Sequence, residues 1–164
     1  MARTEKVKLY GRVYTFFLSH GARISISDYE ISVTPNGEIS IEYRIYGRGD
    51  GYTSAFIISV PLPDGGEKLL SFLKENSDII KGVTENIRQR RRLAVLAKLI
   101  YLIAISLYGL PITKTLKSVS YYHEENEVYY QVSLSVNAFL KGIYREREYF
   151  ETFLESLGLS WPSV

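Results

Sequence analysis

The amino-acid sequence predicts an α+β fold: an antiparallel sheet, made of a four-strand meander plus a C-terminal hairpin, with about three helices packed on one face. Three observations predict it. Through the first sixty residues, apolar and polar side chains alternate between clusters of turn-forming residues, the period of half-buried strands. Residues 93–112 are almost unbroken apolar and end at Gly109, Leu110 and Pro111, which describes a central helix with a glycine-then-proline stop. A second alternating segment near residues 116–136 precedes Phe139, Leu140, Ile143, Phe150, Phe153, Leu154 and Leu157, spaced as the buried stripe of a last helix.

Taken in order, residues 7–18 read as one long first strand. Ile24 and Ile26 are out of parity with Tyr29 and Ile31, which implies a bulge near Ser27 and Asp28. At Thr34-Pro35-Asn36-Gly37, proline presets the first turn dihedral and glycine suits the left-handed position of a three-residue loop. That loop sets Val33 opposite Ile39, Ile31 opposite Ile41 and Tyr29 opposite Tyr43, so one face is core. The other bears Glu30, Ser32, Ser40, Glu42, Arg44 and Tyr46. Gly47-Arg48-Gly49-Asp50-Gly51 then leads into a fourth strand at 52–60.

Pro61 and Pro63 end the sheet, and Asp64 is placed to cap a helix running to near Asn76. The central helix is expected from Thr84 to Gly109, with Arg91, Lys98, Tyr101 and Tyr108 as its least apolar stripe. In the second hairpin, turning at 124–127, Tyr121 opposite Tyr130 and Val119 opposite Val132 give an apolar face. Asn137 is the expected cap of the last helix and Gly158 its end. Strands, helices, strands and helix are segregated along 164 residues, a length suited to a single domain spanning 1–164.

Composition removes several classes of chemistry. The chain has no cysteine, which excludes disulfides, thiolate metal sites and thiol redox chemistry. One methionine and only two glutamines, Gln89 and Gln131, suggest a thermophilic source. Arg3, Glu5, Lys6 and Lys8 open the chain without the apolar core of a signal peptide, so a cytoplasmic protein is expected. Residues 93–112 approach the length of a spanning helix, but Lys98 and Ser106 interrupt them, and no membrane partner is expected.

Net charge is only +2, yet it is unevenly placed. Lys81, Arg88, Arg90, Arg91, Arg92 and Lys98 are opposed locally by Glu85 alone, whereas Glu124, Glu125, Glu127, Glu146, Glu148, Glu151 and Glu155 make the last quarter acidic. Guanidinium groups pair bidentately with phosphate, and Arg88, Arg91 and Arg92 share a helix face, with Lys98 further along. The competing reading is a solvated helix start that pairs with the acidic C-terminal helix.

A second signal lies on the first strand, where Lys8, Tyr10, Arg12, Tyr14 and Phe16 alternate onto one face, with Arg44 and Tyr46 beside them. Cations that track a backbone and rings that stack on bases are what single-stranded nucleic acid needs. The competing reading buries those rings as core.

No catalytic constellation emerges. His20 and His123 stand without an acid and a nucleophile in a recognisable order. The acidic run after His123 reads as a solvated hairpin tip, not as a metal site. In Pro63-Asp64-Gly65-Gly66-Glu67-Lys68 the acids and lysine lack the spacing of a metal-dependent nuclease. Gly47-Arg48-Gly49-Asp50-Gly51 joins two strands and opens no helix, so it is a hairpin loop and not a phosphate cradle.

Leu102-Ile103-Ala104-Ile105-Ser106-Leu107-Tyr108-Gly109, followed by a hairpin and a helix, resembles the LAGLIDADG homing-endonuclease half-domain over about residues 88–157. That resemblance implies an acidic metal ligand near the helix end, where this sequence has none. The expectation is therefore a protein without catalytic residues, metal or cofactor. It binds single-stranded DNA or RNA with little sequence preference through Arg88, Arg91, Arg92, Lys98, Tyr10, Arg12, Tyr14, Arg44 and Tyr46. The alternative is a structural or assembly protein that forms a homo-oligomer through exposed aromatic surface and through Leu157, Leu159 and Trp161.

Overall fold

The structure, a computed structural model, describes the backbone of residues 2–9, 12–19, 23–26, 28–34, 37–46, 51–125 and 128–164. Side chains are described within these from residue 24 onward, except at 44–46, 51–52, 89–90 and 129.

Strands β1 (Ala2–Leu9) and β2 (Arg12–Ser19) form a two-stranded antiparallel sheet. A second sheet holds β3 (Arg23–Ile26), β4 (Tyr29–Val33), β5 (Glu38–Tyr46), β6 (Gly51–Ser59), β7 (Ser118–Glu125) and β8 (Val128–Leu134), in sequence order and antiparallel throughout. Four helices are inserted between β6 and β7: α1 (Glu67–Glu75), α2 (Ser77–Glu85), α3 (Gln89–Tyr108) and the single turn α4 (Ile112–Thr115). Despite that insertion β7 returns to pair directly with β6, from Tyr52 opposite Glu125 to Ser59 opposite Ser118. Helices α5 (Val136–Arg145) and α6 (Arg147–Ser156) follow β8.

Alternation explains the core. Along β4 every second residue is buried, and Ile31, Ile39, Ile41 and Ile58 are fully enclosed in one core with Leu96, Leu99, Ile100 and Ile103 of α3. The helix packs over β5 and β6, α1 and α2 pack against β3, and α5 against β7. Because α3 is buried on most sides, its one polar core group needs a partner: the Tyr101 hydroxyl donates to the Ile112 carbonyl at 2.6 Å. Burial pushes the Tyr101 phenol well above its ordinary pKa. On the sheet's other face Glu30, Ser32, Ser40, Glu42, Thr53 and Ser120 are only half-buried. Among the described residues no helix is long and apolar enough to cross a membrane.

The α+β class with an antiparallel sheet holds, while strand and helix counts differ. The long first strand is instead a hairpin, because Leu9 pairs with Arg12 and the chain reverses between them. The parity break before Tyr29 is also a reversal, not a bulge: Ile26 pairs with Tyr29 and Ile24 with Ile31. The register expected from the Thr34 to Gly37 segment holds, with Val33 opposite Ile39, Ile31 opposite Ile41 and Tyr29 opposite Tyr43, while Pro35 and Asn36 lie outside the described residues. Gly37 takes φ of 84° and donates to the Thr34 carbonyl. A Cβ there would collide with the Val60 carbonyl oxygen, so space as well as dihedral demands glycine.

In the second hairpin the ladder continues to Glu125 opposite Val128, so Val119 faces Leu134 and Tyr121 faces Val132. The expected register was two residues off, which preserves the faces but moves every partner. Thr84 ends α2 instead of starting α3: its hydroxyl donates back to the Ile80 carbonyl, and the chain straightens at Arg88 before α3 begins. The last helix is capped by Ser135, whose hydroxyl accepts from the Ala138 amide at 3.2 Å, not by Asn137. It breaks at Glu146 into α5 and α6.

Candidate functional site

The basic cluster is largely occupied within the protein. Arg91 Nη2 donates to Glu146 Oε1 at 2.8 Å, joining the start of α3 to the α5–α6 junction. Arg92 turns back on α2, donating through Nε and Nη2 to the Ile87 carbonyl at 3.2 and 3.0 Å and through Nη2 to the Glu85 carbonyl at 3.1 Å. It thus satisfies carbonyls left open where α2 ends. Lys98 is half-buried against Gly142 of α5. Burial lowers its ammonium pKa and the Glu146 carboxylate counteracts that. Arg88 is exposed at the N-cap position of α3. Tyr29, next to Arg92, is pushed up to about 12 by burial, with the guanidinium opposing.

The aromatic positions fare differently. Tyr10 lies outside the described residues, and the side chains of Arg12, Tyr14, Arg44 and Tyr46 lie outside the described ones. Register alone places Tyr14 opposite Val7 and Arg12 opposite Leu9, whereas Lys8 pairs with Val13 and belongs to the other alternate set. Arg44 pairs with Thr53 and Tyr46 with Gly51.

A groove of roughly 810 Å³ lies on the helix-bearing side of the sheet, where β7 and β8 run past the N-terminal end of α3. Leu93 and Ala94 form one wall, Phe56 and Tyr121 the floor, and Val132 and Leu134 the far side. The Phe56 and Tyr121 rings are 5.1 Å apart, and Tyr121 stacks on His123 with planes 11° apart.

A chain of polar groups crosses that floor. Ser54 and His123 are cross-strand partners, with Ser54 Oγ 2.6 Å from His123 Nδ1. His123 Nε2 lies 3.2 Å from Glu125 Oε2, and the Tyr121 hydroxyl donates to Ser54 Oγ at 3.4 Å. A hydroxyl, an imidazole and a carboxylate in line resemble a nucleophilic relay, but the surroundings do not complete one. β6 is paired on both sides, so its amides are committed to the ladder and none is aimed at a developing oxyanion. Ser54 is also buried. The arrangement instead fixes the imidazole's orientation and supplies a polar floor to an otherwise apolar groove.

Beside the groove, every described residue of β8 is exposed. Val128, Tyr130, Val132 and Leu134, the alternate set that faces the helices' side, range from 37% to 57% exposed. These positions pair with Glu125, His123, Tyr121 and Val119, yet no helix reaches over them as α3 does over β5 and β6.

In the sequence His123 and the acidic run after it, Glu125 included, read as a solvated hairpin tip, and nothing there joins Ser54 or Tyr121 to the imidazole. Alternation puts His123 and Glu125 on one face because β7 runs on to Glu125. Their meeting with Ser54 needs the β6–β7 pairing across the helical insertion. Leu157, expected at an oligomer surface, is buried, and Leu159 packs partly buried against the core. Trp161 lies under the Arg147 guanidinium, 4.8 Å from its ring centre. Among the described residues no group of three acidic or histidine side chains is placed to hold a metal ion. Neither a protein-family model, nor a curated protein, nor a solved structure matches the chain.

Proposed function

We propose that this is a structural or assembly protein that forms a homo-oligomer through exposed apolar surface. One observation supports it most: four apolar side chains stand exposed in a row on the uncharged edge strand β8. Native sheets blunt such edges with charge, proline or a covering element, because unpaired edge groups and apolar side chains invite another chain. Light scattering or sedimentation across the micromolar range tests the reading. A concentration-dependent oligomer is expected, and a monomer throughout that range would refute it.

The nucleic-acid reading has narrower support, namely the exposed Arg88 and the largely exposed Arg91 at one end of α3. Arg91 and Arg92 already have protein partners, and Glu146 offsets the local positive charge. If single strands nonetheless bind there, replacing Arg88, Arg91 and Arg92 with alanine lowers affinity and flattens its dependence on salt, since fewer counterions are released. Unchanged affinity and slope remove these arginines from any such site.

A further inference from the structure

Three parts of the molecule stand apart as unused: the Ser54–His123–Glu125 chain, the Arg88 end of α3, and β8. The first lacks oxyanion donors and the second is partly neutralised, whereas β8 has a shape that determines its own partner. We infer that β8 pairs antiparallel with β8 of a second copy about a two-fold axis at Gln131, joining two six-stranded sheets into one of twelve strands. This rests on the homo-oligomer reading and names its interface.

The register follows from the sequence of the strand. Centred on Gln131, the two-fold sets Val128 opposite Leu134 and Tyr130 opposite Val132 of the second copy, so all four exposed apolar residues gain apolar cross-strand neighbours. Tyr129 then meets Ser133 on the other face. A perpendicular two-fold keeps each residue on its own face, so a register offset by one would set apolar positions against polar ones and is excluded. Centring on Tyr130 or Val132 leaves an apolar residue at one end of the strand opposite a residue beyond the other end.

Charge agrees with this choice. No charged residue occurs from Val128 to Asn137, so nothing on the strand repels its own copy. The same two-fold brings the acidic end of the hairpin, Glu124 and Glu125, toward the first turn of α5 in the second copy. That turn has no acidic residue of its own, and a helix start favours negative charge. Pairing also closes the open side of the groove, because Tyr130 and Val128 of the second copy come to lie beside Val132 and Leu134. An isologous contact of this kind uses both edges and stops at two copies.

Two variants test the axis. The chain has no cysteine of its own, so Gln131→Cys introduces a single thiol that meets its counterpart at about 4.5 to 5.5 Å between Cα atoms, within disulfide reach. Mild oxidation is expected to convert the variant to covalent dimer. Ser133→Cys is the control, since the two thiols would be displaced by four residues, about 13 Å along the strand, and should not link. Val132→Lys places like charges close to the axis and is expected to weaken the dimer by about tenfold or more, read by sedimentation. If the wild-type protein is oligomeric while Gln131→Cys fails to cross-link and Val132→Lys leaves assembly unchanged, the β8 pairing is overturned and the assembly reading survives on another surface. A wild type that is monomeric across the micromolar range overturns both.

Discussion

The two edges of the six-stranded sheet are built on opposite plans. At one edge β3 is four residues long, begins with Arg23, and is sealed by α1 and α2, so that Ile26 is only 3% exposed. At the other, β8 is seven residues long, has no charge and no proline, and exposes every described side chain. Of the helices between β6 and β7, α1 and α2 pack on β3 and α3 on β5 and β6, while α5 packs on β7. The sheet is therefore wider than the helical layer that covers it. An edge of this length is tolerated in water when another chain completes it, which is the difference that directs attention to β8.

The largest effect is expected at the sealed edge. Ile26→Ala removes a buried side chain beneath α1 and α2 and should cost about 2 to 5 kcal/mol of unfolding free energy in denaturant titration. A loss below about 1 kcal/mol would mean that the helices do not seal β3, and the contrast between the edges would fail.

A smaller effect should come from Asp64, which stands two residues before Gly66, the N-cap residue of α1, and not at the cap position itself. Asp64 accepts from the Gly66 and Lys68 amides, each at 2.9 Å, and from the Tyr108 hydroxyl at 2.6 Å. Desolvation draws its pKa upward, but these hydrogen bonds outweigh it and hold the carboxyl below its ordinary value. Burial, and then Asp64 itself, push Tyr108 up to about 12. Because the folded-state pKa of Asp64 is depressed, its contribution is present above the unfolded value and is lost as pH falls through the folded one. Asp64→Ala should cost at most about 1 kcal/mol at neutral pH, since solvent screens this exposed carboxylate. The gap from wild type should close as the solution is acidified below about pH 4. A gap independent of pH would show that the carboxylate charge is not what anchors the helix.

The smallest effect on the folded chain should come from the open edge. Val132→Ala is expected to change stability by less than about 0.5 kcal/mol when measured at high dilution, because the side chain is already 47% exposed. The same variant should weaken association, since it removes apolar surface where the copies meet. A large loss of stability at dilution would mean that β8 is packed within its own chain, and the two edges would then be alike.

Much of the fold was legible because its rules are local. The Thr34 to Gly37 turn determined its own register through one proline and one glycine, and the partners from Val33 opposite Ile39 to Tyr29 opposite Tyr43 follow by alternation. The apolar run of α3 and its stop at Gly109, which takes φ of 64°, are likewise written in consecutive residues. Where two local readings have the same parity, local rules fail: a bulge and a reversal at Ser27 and Asp28 produce the same break in alternation, and a two-residue slip in the β7–β8 hairpin leaves both faces unchanged. The split of the last helix at Glu146 had no breaker to announce it.

What the sequence by itself determined is the class, the faces of β4, β5, β7 and β8, the central helix and the absence of cysteine. Only the tertiary structure decided which of those faces are covered. Arg91 finds Glu146 fifty-five residues away, and Ser54 finds His123 sixty-nine residues away, because β7 returns to β6 after four helices. Alternation records that a side of β8 is apolar, but coverage depends on how far the helices extend across a sheet whose width is set by non-local pairing. That geometry, and not the pattern of the strand, left Val128, Tyr130, Val132 and Leu134 in the open.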